Sequence, residues 1–263
     1  MNTIKTILVP FDFTEAAINA LDYSMTFIGF ENNVAIKALY VSPNPFSALD
    51  IKESEASFNR ILKQLNKKTK NRPELVLVQG KLTDVILYQR EFMAADIIFM
   101  GTMGDQSADD HVTNTSKLVL EAECPILTVP YNAEMVLPKE IALVLGSEEI
   151  ERPSVLNLLL DIARSFNAKV HVLTIYKENI LEEKAIVEGN EETLEYYLEH
   201  FYAEHNFEKN QDVEKGILDF IAEKEIDLLA IIPRNHAHKT SPSEGRLTKL
   251  LTLHATVPVL TLD

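Results

Sequence analysis

Apolar residues along this chain fall in short continuous runs that alternate with longer stretches of helical spacing. Ile4 to Pro10 is the first run and suits a strand covered on both faces. Thr14 can cap a helix in which Ile18, Leu21, Met25 and Ile28 share one stripe, and Gly29 ends it. Val34 to Val41 predicts a second buried strand, broken by Pro43 and Pro45. A long helix follows from about Ala48, with Ile51, Phe58, Ile61, Leu62 and Leu65 along it. Leu75 to Val78 is a third strand, and Leu82, Val85, Ile86 and Gln89 mark the inward face of a third helix. Ile97 to Met100 is a fourth strand, and a helix starting near Thr115 or Ser116 carries Leu118, Leu120 and Ala122. Pro125 stops that helix, and Ile126 to Val129 closes the unit. This alternation predicts a parallel sheet with right-handed crossovers and helices on both faces.

The second half repeats the first at an offset of about 133 residues. Ile141 to Leu145 is its first strand, and Pro153 suits the first position of a helix bearing Val155, Leu158, Leu159 and Ile162. Val170 to Ile175 is the next strand. An acidic segment, Glu182 to Glu204, contains a long helix with Leu194, Tyr197, Leu198 and Phe201 on one face. Val213, Ile217, Phe220 and Ile221 mark a third helix. Asp227 followed by Leu228 to Ile232 parallels Asp96 followed by Ile97 to Met100, and Val257-Pro258-Val259-Leu260 parallels Cys124-Pro125-Ile126-Leu127. The expected architecture is two tandem doubly wound α/β domains, 1–133 and 139–263, joined by a short connection.

In such a sheet the loops after the first and fourth strands meet at the topological switch point. That brings Asp12 near Met100, Gly101 and Gly104, with Val41 close by at the end of the second strand. The spacing of Gly101 and Gly104 predicts a backbone that turns sharply as it leaves the sheet. Strand, glycine loop and helix N-terminus together present free amide N–H groups to an anion. Asp105, Asp109 and Asp110 oppose this, with no Lys or Arg between Gly101 and Ser116. A carboxylate about 6 Å from a phosphate costs roughly 2–3 kcal/mol at an effective dielectric near 20, before salt screening. A divalent ion bridging the two would reverse that sign.

The residues Gly101, Gly104, Thr115 and the run Cys124-Pro125-Ile126-Leu127-Thr128-Val129-Pro130 resemble the universal stress protein family, whose domains end in G-x2-G-x9-G-[ST], a helix and a C-P-[VI]-[LV]-x-V-P strand. Pro10 and Asp12, in I-L-V-P-F-D-F-T, resemble the family's first strand and its aspartate, while Asn114 stands where the family has a third glycine. The resemblance covers the whole chain as two copies. It implies an adenine nucleotide alpha hydrolase-like fold, with the last strands of the two copies pairing into an intramolecular pseudo-dimer. It also implies ATP or another adenine nucleotide, with or without magnesium, in the N-terminal copy. Asp12 and the Val41 backbone would face adenosine, the Gly101–Thr115 loop with Gly104 and Asn114 would surround the phosphates, Thr115 and Ser116 would add hydroxyl donors, and Pro10 and Met100 complete the expected binding residues.

Composition narrows the remaining classes. The 263 residues are 46% hydrophobic and 25% charged, ordinary for a globular protein. Forty acidic against 25 basic residues, a net charge of −15, disfavours sequence-independent binding to nucleic acid or anionic lipid. A lone cysteine, Cys124, excludes an internal disulfide, suits a reducing cytoplasm and reads as a small core residue. No run approaches the ~20 apolar residues of a membrane span, and none reads as a signal peptide. The expected location is therefore the cytoplasm, as a monomeric pseudo-dimer or a homodimer.

The second copy departs further from the pattern, with Ser147 expected at the aspartate position and Pro233 where Gly101 stands. Arg234, Lys239, Arg246 and Lys249 gather positive charge after its fourth strand, either a solvated loop or a dock for an anion or acidic partner. His236, His238 and His254 lack the spacing of a zinc site and read as surface histidines. Lys63, Lys67, Lys68, Lys70 and Arg72 read as cations at a helix C-terminus. Neither a G-x-x-x-x-G-K-[ST] loop nor a G-x-S-x-G turn is present. The expected function is regulatory and non-enzymatic, within a stress response, with adenine nucleotide and a protein partner as ligands. A ligand-free scaffold is the rival, and a slow ATP hydrolase a third possibility.

Overall fold

A computed structural model describes residues 4–29, 33–65, 72–103, 114–122, 124–146, 150, 152–177, 190–232 and 244–262; the side chains of 114–116, 120, 244–246 and 249 lie outside the description. The chain divides into two compact units, one ending at Met135 and the other starting at Val136.

The first unit runs β1 (Thr6–Pro10), α1 (Glu15–Ile28), β2 (Ala35–Ser42), α2 (Ala48–Leu65), β3 (Glu74–Gln79), α3 (Leu82–Phe92), β4 (Ile97–Thr102), α4 (Asn114–Glu121) and β5 (Ile126–Pro130). Its strands lie in the order β3-β2-β1-β4-β5 and pair in parallel. Alternate residues along each strand point to opposite faces. Leu8, Leu39, Ile98, Met100 and Ile126 thus form one face with Ile86 of α3 and Leu118 and Val119 of α4, all buried. Phe99 points the other way and packs on α1, its ring centroid 5.3 Å from Phe27 and 6.3 Å from Tyr23. Burial on both faces explains why these strands read as continuous apolar runs rather than alternating ones. Cys124 is buried in the same layer as Ile126. Of the apolar residues expected along α2, only Phe58 is fully buried, edge-on to Phe11 at 5.4 Å.

The second unit runs β6 (Glu140–Val144), α5 (Leu156–Phe166), β7 (Lys169–Tyr176), a helix over residues 190–198 (α6), β8 (Tyr202–Lys209), α7 (Val213–Glu223), β9 (Leu228–Ile231), α8 (Glu244–His254) and β10 (Val259–Thr261). Its order, β8-β7-β6-β9-β10, repeats that of the first unit, again all parallel. Ile217, Phe220 and Ile221 of α7 and Leu251 of α8 cover Leu173, Leu229 and Val259.

Two expectations need correction here. Pro153 opens a short 3-10 turn, Pro153–Val155, and the α-helix starts only at Leu156. The α-helix within the acidic segment does not reach Phe201, which was expected on its apolar face. A 3-10 turn over Glu199–Phe201 ends it, and β8 begins at Tyr202. This strand was not expected, because Tyr-Ala-Glu-His-Asn-Phe-Glu-Lys shows no apolar run. It lies at the sheet edge, where pairing with β7 through a bulge at Val170/His171 supplies what side-chain burial does not.

A shared turn accounts for the repeated aspartates. Ala94 and Glu225 both adopt left-handed backbone, with φ of 48° and 50°, two residues before Asp96 and Asp227. Asp96 Oδ2 accepts the N–H groups of Lys5 and Thr6 at 2.7 and 2.9 Å. Asp227 Oδ2 does the same for Lys139 and Glu140, at 2.8 and 3.0 Å. Each carboxylate ties the start of the first strand of its unit to the fourth.

Candidate functional site

The carboxyl ends of β1, β2 and β4 open on a cavity of about 660 Å³, within the range of small-molecule sites. It sits where the strand order reverses between β1 and β4. Pro10, Asp12, Val41, Met100 and Gly101 all contribute to its wall, so the structure brings together five of the nine residues expected at the site. Asn114, Thr115 and Ser116 form the first residues of α4, with side chains outside the description. Gly104 lies outside the described residues, as do Asp105, Asp109 and Asp110.

Asp12 is held by the turn that follows β1. Its Oδ1 accepts from the Thr14 N–H at 3.1 Å and the Thr14 hydroxyl at 2.5 Å. Thr14 Oγ1 in turn accepts from the Ala17 N–H at 3.3 Å, capping α1. The other oxygen of Asp12 has no hydrogen-bond partner among the described residues and is available to a ligand hydroxyl or amine. Between them, Phe13 has φ of 66°, a left-handed conformation costly for a bulky residue. Its ring offsets this by packing edge-on to Phe11 at 5.0 Å and Tyr40 at 5.2 Å.

Gly101 is not where the backbone leaves the sheet. It lies inside β4, paired with Val129, and the strand continues to Thr102. A Cβ there would stand 2.0 Å from the Ala16 carbonyl oxygen and 2.3 Å from its carbon. The glycine is therefore required by the close approach of α1 to β4, whether or not a ligand is present.

Lys81 also lines the cavity, at the junction of β3 and α3. Among the described residues, Asp12 and Lys81 are the ionisable ones of the wall, and Phe11, Val41, Leu82, Met100 and Met103 give it an apolar lining. Sequence reasoning missed Lys81 because it sought cations only between Gly101 and Ser116. The Gly80-Lys81 turn directly after the third strand was the signal available.

In the second unit the register shifts both expected equivalences by one residue. The Leu145 N–H bonds the Leu173 carbonyl at 3.0 Å, as the Phe11 N–H bonds the Leu39 carbonyl at 2.8 Å. Gly146, not Ser147, therefore follows at the place of Asp12. The shared Asp96 and Asp227 turns likewise put Ile232, not Pro233, at the place of Gly101. Ile232 is half-buried there, so the second unit carries a side chain where the first requires glycine. The aspartate and glycine positions of the first cavity are thus both lost. Ser147, Pro233, Arg234, His236, His238 and Lys239 lie outside the described residues, as do the side chains of Arg246 and Lys249. His254 bonds Glu214 through Nδ1 at 2.5 Å, consistent with a structural role, and the described residues include no His/Cys/Asp/Glu group suited to a metal. No described helix is long and apolar enough to cross a membrane.

Comparison with known proteins agrees with this fold. The family model described as the universal stress protein family matches residues 3–130. A search of curated proteins gives no match. Among solved structures, a universal stress protein from Archaeoglobus fulgidus DSM 4304 superposes with a TM-score of 0.71 at 15% identity, covering 98% of both chains. A functionally unknown protein from Pseudomonas aeruginosa PAO1 gives a TM-score of 0.62 at 13% identity, covering 98% of this chain and 92% of the other. At these identities the likeness extends to the fold and no further. The first unit, matched by the family model, belongs to the universal stress protein family, and the second repeats its strand order, as in a tandem arrangement of that fold.

Proposed function

We propose that the chain is a regulatory ligand-binding module of a stress response, whose N-terminal unit holds an adenine nucleotide beside Asp12. The observation that carries this reading is the cavity itself, about 660 Å³ at the switch point, with apolar walls and a carboxylate. Phe11, Val41, Leu82 and Met100 offer surface to a purine, and Asp12 offers an acceptor to ribose hydroxyls or the exocyclic amine. Magnesium would enter with the phosphates rather than on a protein cage. The second unit, without the aspartate, serves as a partner-facing or purely structural copy. Binding rather than turnover is the proposed role, in the cytoplasm.

The test is a melting-temperature titration of the full chain with ATP, with and without magnesium. At a hundredfold excess over Kd, binding to the native state adds about 2.7 kcal/mol, which reads as a rise of several degrees. Asp12→Ala should abolish the rise. No rise at millimolar ATP sinks the proposal and leaves the rival, a ligand-free scaffold. That rival has its own support, since packing alone accounts for Gly101.

A further inference from the structure

A second cavity, of about 470 Å³, opens between α2 and the turn that follows β1. Neighbouring residues of β2 separate it from the first, because Val41 packs on the α3–α4 face of the sheet and Tyr40 points to the other. Asp12 and Thr14 line the first cavity, and Phe13 between them lines the second. The Phe13 and Tyr40 rings meet edge-on at 5.2 Å and form, with Ile61, a half-buried apolar floor. Phe13 reaches it through left-handed backbone, a strain of the kind that gathers at ligand sites.

The facing wall is one stripe of α2, with Glu53, Ser57, Arg60 and Gln64 at helical spacing and Ser54 beside them. Packing alone would ask for apolar residues opposite two aromatic rings, yet Ser54 and Ser57 are half-buried there. Among the described residues, the hydroxyls of Tyr40, Ser54 and Ser57 have no hydrogen-bond partner, and neither Glu53 nor Arg60 has an ion pair. We propose that this cavity is a second small-molecule site, for an aromatic carboxylate with a hydrogen-bond donor across the ring. The rings of Phe13 and Tyr40 receive the aromatic part. The planar guanidinium of Arg60 matches a carboxylate, one turn from the Ser57 hydroxyl. Glu53 lies two turns from Arg60, about 10 Å along the helix, and accepts from the donor at the far end. A phosphate fits less well, since its second charge would meet Glu53 with only one cation on the wall.

The test is calorimetric titration of the full chain with 4-hydroxyphenylacetate, which should show one saturable site in the millimolar range or below. Arg60→Gln should weaken binding about fivefold, the ratio of a partly exposed charge pair, without moving the neutral amide of the same compound. Glu53→Gln should reduce the preference over plain phenylacetate about twofold. Ser57→Phe, which fills the cavity from α2, should abolish binding. No saturation of wild type at about ten millimolar overturns the proposal. So does a Ser57→Phe protein that binds as tightly as wild type, because the compound then sits elsewhere. Should Ser57→Phe not fold, Arg60→Gln decides alone, since Arg60 is exposed on the rim. Unchanged affinity in that variant, or an equal loss for the amide, overturns the assignment. The two cavities share no described residue, so the nucleotide reading stands or falls separately.

Discussion

Gly101→Ala separates a glycine kept for packing from a glycine kept for a ligand. The added methyl would stand 2.0 Å from the Ala16 oxygen, 2.3 Å from the Ala16 carbon and 3.0 Å from the Ala17 nitrogen. The first distance is about 1.5 Å short of ordinary van der Waals contact. All three atoms are backbone, in the first turn of α1, so no rotamer change relieves the clash. Either α1 lifts off β4 or the end of β4 bends away from β5. The first exposes the buried surface of Ala16, Ala17 and Ala20, and the second strains the Gly101–Val129 pairing. The cost is about 3 kcal/mol or more. For a unit of this size, roughly 3–5 °C of melting temperature correspond to each kcal/mol, so a drop near 10 °C is expected. The measurement is thermal unfolding of ligand-free protein by circular dichroism, with Gly29→Ala as control. Gly29 has φ of 68° and open space around its Cβ position, so that variant should lose only about 1 kcal/mol. A Gly101→Ala protein melting within a degree of wild type would refute the packing argument.

Three further outcomes follow from the turns and from one buried ring. Asp96→Ala and Asp227→Ala each remove an acceptor from two backbone N–H groups and should each cost about 2 kcal/mol, measured by urea unfolding. Ala94→Gly, at φ of 48°, should stabilise the first unit by about 0.5–1 kcal/mol in the same assay, because glycine occupies left-handed backbone without strain. Burial between Thr174, at 3.0 Å, and the Phe207 ring lowers the His205 pKa to about 4, from an ordinary 6.5. The unfolded chain then takes up the proton first as pH falls, so His205 stabilises the fold fully above about pH 6.5 and loses that contribution towards pH 4. The loss is about 1–2 kcal/mol once solvent screening is allowed for. His205→Gln should flatten the stability curve over that window.

Much of the first unit was legible in sequence because its signals are local. Buried parallel strands read as continuous apolar runs at Ile7–Val9 and Ile97–Met100, and as one interrupted only by Lys37 at Ile36–Leu39, and Thr14 and Gly29 bracket α1 with their own side-chain and backbone chemistry. The repeat was legible too, since Asp96 and Asp227 recur for one mechanical reason, the tie to the first strand of each unit. At the site, the order of strands sufficed to bring Asp12, Val41 and Met100 to one cavity.

Tertiary structure alone decided the rest. The strand β8 exists because β7 offers its edge, a pairing no residue of Tyr202–Lys209 announces. Gly101 resembles a loop glycine in sequence, yet its reason is the Ala16 carbonyl, brought against it by a helix from the other end of the unit. Lys81 reaches the cavity only because β3 lies two strands from β1. Periodicity and caps act over a few residues and so leave their mark on the chain. Close approach and charge placement depend on which distant segments the sheet sets side by side, and a one-dimensional pattern carries no record of that distance.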